Sequence, residues 1–284
     1  MTGSPRTPRT PRTRAMRPLD WALPPTPVHR EVLSVQPNEV PDDGSERPPL
    51  LFVHGMGHGA WCFAEHWLPD AARRGFPAYA VSLRGHGGSG GHRRLGRTLL
   101  RDYVHDVLQT AVSLPRPPVL IGHSLGAVVV QMVLDRYPAP AGVLVAPAPL
   151  HAGLRSVAAM LRSRPTHALR VLAGGSMPMT ADTLFEGLDP ATAASYAGRT
   201  GRESPLVQYD VALLPRTVGP VRAPVLVVGT PVDRYVPLSE LRLTAGRFGV
   251  EPLLFPGMGH DLMLDAGQDR VLAAILDWVD ETVV

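Results

Sequence analysis

The residues with the clearest chemical potential form the run Gly122-His123-Ser124-Leu125-Gly126. A serine framed by glycines in this way is typical of a nucleophile that attacks a carbonyl carbon, provided that a strand precedes it and a helix follows it. The apolar run 118–121 predicts the strand, and the apolar segment 125–137 predicts a helix that stops before Pro138. We therefore predict that Ser124 lies on a sharp turn between the two elements and is the catalytic nucleophile.

A serine hydroxyl is a weak nucleophile at neutral pH, so it needs a histidine base and a carboxylate that orients this base. Of the eleven histidines, His260 lies in a glycine-rich loop after the last predicted strand, which suits a base that reaches back over the nucleophile. Asp233 follows the preceding strand and is the predicted acid. The competing carboxylates are Asp210, Asp261 and Asp265; Asp261 adjoins the base, and Asp265 is expected to begin or cap the last helix.

Acyl transfer also needs donors for the oxyanion of the tetrahedral intermediate, each worth about 3 to 4 kcal/mol of barrier. The N–H of Leu125 is one candidate, because it lies at the positive end of a helix dipole. The N–H of Met56, in the glycine-rich loop 54–59, is the other. A loop of this kind could instead cradle a phosphate, but no Gly-Lys-Ser/Thr or dinucleotide signature follows it.

Strands and helices alternate along the rest of the chain, and this order predicts an α/β fold with a mostly parallel, doubly wound sheet. Most of the strands read as short apolar runs, as expected when a strand is buried on both faces. The predicted strands are 28–35, 49–53, 77–83, 118–121, 142–146, 224–228 and 252–255. The predicted helices are 61–74, 99–114, 125–137 and 269–279.

The stretch 147–215 interrupts this alternation, because it has helix-like apolar spacing, many prolines and no convincing buried strand. We predict that it is a helical cap inserted between the strand near 142–146 and the strand near 224–228. The core domain is then 26–146 together with 216–284. The apolar cap residues could line a pocket for an acyl group or simply pack the cap on the core: Leu150, Leu154, Met160, Leu161, Val171, Leu172, Met177, Met179, Leu184 and Phe185.

The formal charge of +3 is concentrated in an Arg/Pro/Thr-rich tail, 1–25, which is predicted to be disordered. Five arginines and no acid lie within residues 1–17, which leaves +3 − 5 = −2 for the remainder. We interpret the tail as a solvated extension, or as residues upstream of a start at Met16, in preference to an arm that binds nucleic acid or membrane.

The single cysteine, Cys62, excludes an internal disulfide and a cysteine-rich metal site. No apolar run reaches the roughly 18 residues of a membrane span. The sequence therefore predicts a cytoplasmic protein that needs no cofactor, binds no metal or nucleic acid and has no transmembrane segment. It leaves the oligomeric state open.

These motifs together resemble the α/β-hydrolase superfamily over residues 28–282. The resemblance rests on the run 52–61, the Arg84-Gly85-His86-Gly87-Gly88-Ser89 loop, the 122–126 elbow, Asp233 and His260. The loop that begins at Arg84 is similar to that of lysophospholipase-like and monoacylglycerol lipase-like members. The run His54-Gly55-Met56-Gly57-His58-Gly59-Ala60-Trp61 is similar to plant methylesterases and their hydroxynitrile lyase relatives.

Two departures from the lyases argue against cyanohydrin cleavage. The lyases carry threonine at the position of Gly55 and lysine at the position of Asp261. A serine nucleophile also argues against an epoxide hydrolase or a haloalkane dehalogenase, which use aspartate.

The resemblance and the residues together predict a serine hydrolase that cleaves a carboxylic ester, thioester or lactone with an apolar acyl part through an acyl-enzyme. The alternative is an enzyme recruited to a non-hydrolytic step, such as lyase, cyclase or acyl-transfer chemistry in a biosynthetic pathway. A non-catalytic binding protein would have no use for a complete triad with two oxyanion donors.

Overall fold

The computed structural model describes residues 26–38, 46–150, 162, 165–213 and 218–284. The predicted disordered tail lies outside the described residues, as do Leu154, Met160 and Leu161 of the predicted cap. Among the described residues, no helix combines the length and the apolarity needed to cross a membrane.

A seven-stranded sheet forms the centre of the described part of the chain, in the order β1-β3-β2-β4-β5-β6-β7. Only the edge strand β1 runs antiparallel to its neighbour, so the mostly parallel sheet predicted from the sequence is confirmed. The strands are β1 (Val32–Val35), β2 (Leu50–Val53), β3 (Ala78–Val81), β4 (Val119–His123), β5 (Gly142–Val145), β6 (Val225–Gly229) and β7 (Leu253–Leu254).

Helices cover both faces of the sheet, and two apolar clusters, one on each face, form the core. The three central strands β2, β4 and β5 are buried at every residue, which explains why they read as continuous apolar runs. The core helices are α1 (Trp61–Ala64), α2 (Trp67–Arg73), α3 (Leu100–Ser113), α4 (Leu125–Leu134), α9 (Leu238–Arg247) and α10 (Gln268–Val283).

Four helices are described between β5 and β6, where the sequence predicts the cap. They are α5 (Pro165–Leu172), α6 (Ala181–Leu184), α7 (Pro190–Gly198) and α8 (Pro205–Leu213). Three of them begin with proline, which has no N–H to leave unpaired in a first turn. The boundaries of a separate cap domain stay a prediction.

Several predicted elements differ from the observed ones. The predicted helix 61–74 is two helices, because His66 has non-helical backbone angles and Pro69 fits only in the first turn of a new helix. Of the predicted strand 28–35, only Val32–Val35 is a strand, and of the predicted strand 252–255, only Leu253–Leu254 is. Helix α9 was not predicted, and neither was the 3₁₀ helix His92–Arg97.

The first turn of α4 packs unusually close to the end of β2. A Cβ atom on Gly126 would overlap the carbonyl oxygen of Val53 and would lie 2.5 Å from that of His54. A Cβ atom on Gly122 would lie 2.5 Å from the carbonyl oxygen of Gly126. Backbone atoms occupy the space in each case, so no side-chain rearrangement can make room.

We predict that Gly126→Ala destabilises the protein by about 3 kcal/mol or more, since the added methyl group overlaps fixed backbone. The matched control is Gly246→Ala in α9, where an added Cβ meets nothing within 4 Å. That control should be neutral or stabilising by about 0.5 to 1 kcal/mol. Urea denaturation measures both values, and equal stability of the two variants would contradict the prediction.

Candidate active site

Ser124 lies between β4 and α4, in the strand-turn-helix position predicted for it. Its backbone angles are φ 51° and ψ −115°, a strained conformation for a residue with a side chain. The Ser124 N–H donates to the carbonyl of Val145 at 2.9 Å, which ties the turn to the neighbouring strand. The residue is buried, with 7% of its surface exposed.

Asp233 follows β6 and His260 follows β7. The two side chains lie close together at the carboxyl end of the parallel strands, where Ser124 follows β4. The distance from His260 Nδ1 to Asp233 Oδ2 is 2.8 Å, and both side chains are almost fully buried. The other carboxylate oxygen of Asp233 accepts hydrogen bonds from the N–H groups of Tyr235 at 2.7 Å and Val236 at 2.9 Å. The carboxylate is therefore held by three donors, and it fixes the His260 proton on Nδ1, which leaves Nε2 free as an acceptor.

The ring of His123, the residue before Ser124, connects the turn that carries Ser124 to the loop that carries His260. His123 Nε2 lies 3.0 Å from the His260 carbonyl oxygen, and the two ring centroids are 4.8 Å apart. Among the described residues, the Ser124 hydroxyl makes no hydrogen bond to the His260 ring. Catalytic hydrogen bonds are often long in free enzymes and tighten when substrate binds.

The loop 54–59 lies directly against the nucleophile turn. A Cβ on Gly55 would lie 3.0 Å from the Ser124 Cβ and 2.8 Å from His123 Nδ1, so only glycine allows this approach. His54 holds the loop: its Nε2 accepts from the Leu83 N–H at 2.9 Å, and its Nδ1–H donates to the Gly55 carbonyl at 2.8 Å. Burial lowers the pKa of His54 well below 6.5, which agrees with this neutral tautomer.

The two predicted oxyanion donors flank this contact. The N–H of Leu125 lies in the first turn of α4, and the N–H of Met56 follows Gly55. Neither N–H is bonded to another backbone carbonyl in the described part of the chain. Both therefore remain available to a ligand, as oxyanion donors must be.

Opposing influences set the pKa values of the two histidines nearest the nucleophile. Burial would lower the pKa of His260, but the charge and hydrogen bond of Asp233 raise it above 6.5, and the charge of Asp261 adds to this increase. Burial and the neighbouring His260 lower the pKa of His123 to about 3, so His123 stays neutral. His123 Nδ1 has no hydrogen-bond partner among the described residues.

Three residues here offer possible metal ligands, since atoms of His123, His260 and Asp261 lie within 4.8 Å of one another. Each side chain already has a protein partner. His260 bonds to Asp233, Asp261 bonds to His58, and His123 bonds to the His260 carbonyl. The three side chains thus belong to one hydrogen-bond network, in which His123 Nδ1 and Asp261 Oδ1 have no hydrogen-bond partner among the described residues.

A buried carboxylate, Glu203, links the cap helices to the core. It accepts a hydrogen bond from the Tyr103 hydroxyl at 2.6 Å and lies 3.4 Å from His86 Nε2. The N–H of Gly57, in the loop 54–59, donates to it at 3.4 Å. The Gly57 carbonyl in turn accepts from the N–H of Gly201 at 2.6 Å. The cap is therefore fastened to the loop that carries Met56.

Asp265 makes a second link between the cap and the core. Its carboxylate accepts from the N–H groups of Gly259, Glu186, Gly187 and Ala266 at 2.5 to 2.9 Å. Two of these donors lie after helix α6 of the cap, and one precedes His260. The sequence predicted that this carboxylate begins or caps the last helix, but it instead joins the His260 loop to the cap.

A cavity of about 480 Å³ lies among residues of the predicted cap. It is lined by Arg170, Gly175, Ser176, Met177, Pro178, Met179, Thr200, Gly201 and Arg202. None of Ser124, His260 and Asp233 is among the lining residues. The lining is linked to the site through pairwise contacts: the Tyr235 hydroxyl donates to the Pro178 carbonyl, and the Tyr235 ring centroid lies 5.0 Å from that of His260. The Gly201 N–H donates to the Gly57 carbonyl of the loop 54–59.

The predicted apolar cap residues divide between packing and lining. Leu184 and Phe185 are buried in the apolar cluster on one face of the sheet, and Val171 is also buried, whereas Met177 and Met179 line the cavity. Leu172 is exposed, and Leu150 is buried.

Sequence reasoning missed Tyr235 and Glu203. The position of Tyr235, two residues after Asp233, was the available signal, because an aspartate often bonds to the backbone N–H two residues later. Glu203 has no comparable signal, since its partners Tyr103 and His86 are far away in sequence.

We predict that the acid limb of the kcat/KM profile for ester hydrolysis has its midpoint above pH 6.5. The base must be neutral to accept a proton, and the pKa of His260 is raised above that value. Asp233→Asn removes the charge, so the midpoint should move to lower pH while activity falls about a thousandfold or more. Asp277→Asn, at an exposed ion pair with Arg74, is the control. An unchanged midpoint in Asp233→Asn would sink the assignment.

We also predict that Glu203→Gln lowers the free energy of unfolding by about 1 to 3 kcal/mol, because buried His86 loses its anionic partner. The pKa of His86 is raised by Glu203 against the effect of burial. Its stabilisation is therefore complete below pH 6.5 and is lost as pH rises through the raised pKa. The difference between wild type and variant should shrink at alkaline pH.

The control for this measurement is Glu186→Gln, at an exposed ion pair with Arg234, which should cost less than about 1 kcal/mol. Urea denaturation at several pH values compares the two variants. If both variants lose the same unfolding free energy at every pH, the prediction for the pair of Glu203 and His86 is contradicted.

A sequence model described as the alpha/beta hydrolase family matches residues 50–274. A monoacylglycerol lipase from Mycolicibacterium smegmatis is 26% identical over 262 residues, which cover 84% of this chain and 89% of the lipase. Methylesterase 10 of Arabidopsis thaliana is 34% identical over 98 residues, covering 33% of this chain and 34% of that protein. The first similarity is global, and the second is local.

The described structure is also similar to the crystal structure of a monoacylglycerol lipase from Paleococcus ferrophilus. The TM-score is 0.67 at 22% identity, over 89% of this chain and 98% of the lipase chain. At this level of identity the likeness bears on the fold alone.

Proposed function

Because the chain belongs to the alpha/beta hydrolase family and is a carboxylic ester hydrolase, we propose that Ser124, His260 and Asp233 form its catalytic triad. The observation that carries this proposal is the 2.8 Å contact between His260 Nδ1 and Asp233 Oδ2, beside the strained turn that presents Ser124. It leaves His260 Nε2 without a proton, as a general base requires.

In the proposed first step, the Ser124 hydroxyl attacks the ester carbonyl carbon while His260 Nε2 takes its proton. The tetrahedral intermediate then collapses. The alcohol leaves with the proton that His260 returns to it, and the acyl group remains on Ser124. Asp233 stays ionised and stabilises the imidazolium that forms in between.

In this proposal, the N–H groups of Leu125 and Met56 donate hydrogen bonds to the negatively charged oxygen of the tetrahedral intermediate. The close packing of Gly126 on the end of β2, and of Gly55 on Ser124, supports the pairing of these two donors. The donors are held before the reaction begins, so they need no reorganisation when the charge develops.

Water completes the cycle in the second step. It attacks the acyl-enzyme carbonyl while His260 Nε2 removes its proton, and the acid leaves as Ser124 regains a hydrogen. The same base, acid and oxyanion donors therefore serve both half-reactions.

We propose that the cavity among residues of the predicted cap holds an apolar acyl group. Met177, Pro178 and Met179 line it, and methionine adapts its shape to flexible apolar ligands. The contacts of Pro178 with Tyr235 and of Gly201 with Gly57 tie this lining to the elements that carry the proposed site. The relative from Mycolicibacterium smegmatis bears the name of a lipase for monoacylglycerols, which carry such acyl chains.

Labelling by a fluorophosphonate probe tests the nucleophile. We expect the wild type to be labelled and Ser124→Ala to remain unlabelled, because the probe bonds covalently to an activated serine oxygen. Ser113→Ala, on the exposed face of α3, is the matched control and should be labelled like the wild type. Persistent labelling of Ser124→Ala would refute the assignment.

Turnover of nitrophenyl esters of increasing acyl length then separates hydrolysis from other chemistry at the same serine. A protein that is labelled at Ser124 but cleaves no ester, thioester or lactone would be an enzyme recruited to a non-hydrolytic step.

A further inference from the structure

The buried ring of His58 is bonded at both nitrogens. Its Nδ1 lies 2.8 Å from the Met56 carbonyl oxygen, and its Nε2 lies 2.8 Å from Asp261 Oδ2. The ring stacks on Trp61 with centroids 5.7 Å apart, so it cannot turn away from either partner without losing this contact. The proposed triad does not use either His58 or Asp261.

The partners of His58 determine where its hydrogens are. A peptide carbonyl oxygen can only accept a hydrogen bond, and so can an ionised carboxylate oxygen. If Asp261 is ionised, as its lowered pKa indicates, both ring nitrogens carry hydrogen and the pair is an imidazolium with a carboxylate. Burial opposes both charges, but each partner favours the other: the pKa of His58 is raised, and the pKa of Asp261 is lowered.

This pair connects the loop 54–59 to the loop that contains His260. The proposed reaction needs these two loops in a fixed relative position. Met56 supplies a proposed oxyanion donor, and Asp261 directly follows His260. The N–H of Asp261 also donates to the Leu184 carbonyl of the cap at 3.0 Å, so the carboxylate sits on a fixed backbone. His58 therefore links the loop 54–59, which carries the proposed oxyanion donor Met56, to the loop that carries the proposed base His260.

The peptide between Met56 and Gly57 is held at both ends by opposite charges. Its carbonyl oxygen faces His58, and its N–H faces the Glu203 carboxylate at 3.4 Å. Gly57 has φ +68°, and glycine rotates freely enough for such a peptide to flip. A positive group at the oxygen and a negative group at the N–H both favour the observed orientation.

We propose that His58 and Asp261 are positioning residues that hold the Met56 N–H of the oxyanion hole in register with His260. This inference rests on the proposed triad and oxyanion hole. The two residues act through the loop and touch no substrate.

Two isosteric substitutions separate the two contacts of the ring. In His58→Asn the amide nitrogen replaces Nδ1, which keeps the donor to Met56 and removes the one to Asp261. In His58→Gln the amide nitrogen replaces Nε2, which keeps the contact with Asp261 and removes the one with Met56. If the function of His58 depends on both contacts, we expect both variants to be impaired.

We expect each variant to lower kcat for a nitrophenyl ester about tenfold or more, with KM changed less than about twofold, because an oxyanion donor acts only on the transition state. Affinity for an alkyl boronic acid, which forms a tetrahedral adduct with the serine, should fall in parallel. Asp261→Asn should behave alike. The control is His66→Gln, outside the network, with wild-type kcat expected.

The inference fails if a folded His58→Asn or His58→Gln keeps kcat within about twofold of the wild type. It also fails if KM rises while kcat and boronic acid affinity stay unchanged. Failure of the proposed function is different, because wild type would then cleave no ester or Ser124→Ala would still be labelled.

A measurement on the unmodified protein covers the case in which the variants do not fold. Nitrogen-15 NMR of labelled histidines at pH 7 should find a ring with hydrogen on both nitrogens and a nuclear Overhauser contact to the indole of Trp61. A singly protonated ring beside Trp61 would overturn the inference.

Discussion

The close packing of the first turn of α4 on the end of β2 is the contact on which the site depends. It has no side chain in it: the backbone at Gly126 lies against the carbonyls of Val53 and His54. This contact brings the N-terminus of a helix, the proposed nucleophile Ser124 and a glycine-rich loop within a few ångströms of each other. Helices and sheets packed through side chains lie about 10 Å apart, too far for two backbone N–H groups to share one oxygen.

The strain at Ser124 persists because its surroundings over-determine it. A residue with a side chain at φ 51° costs on the order of 1 to 3 kcal/mol, and the flanking elements must supply this free energy. They do so through the fully buried strands β4 and β5 and through the bond from the Ser124 N–H to Val145. The buried core therefore supplies the free energy that keeps Ser124 in this strained conformation.

The sequence predicted the parts of the molecule that depend on local patterns. Buried parallel strands read as apolar runs, and the order of Ser124, Asp233 and His260 follows from strand positions. The sequence could not predict contacts between distant residues, such as His58 with Asp261 or Glu203 with Tyr103, because no local pattern encodes such a pair. In sequence Asp261 adjoins His260, but its side chain contacts a different histidine, His58.

The bond from the Gly201 N–H to the carbonyl of Gly57 couples the predicted cap to the loop that carries Met56. A cap that moved away from the core would give up this bond and the contact of Glu203 with the same loop. If Met56 is an oxyanion donor, as proposed, the position of the cap and the geometry of this donor are linked.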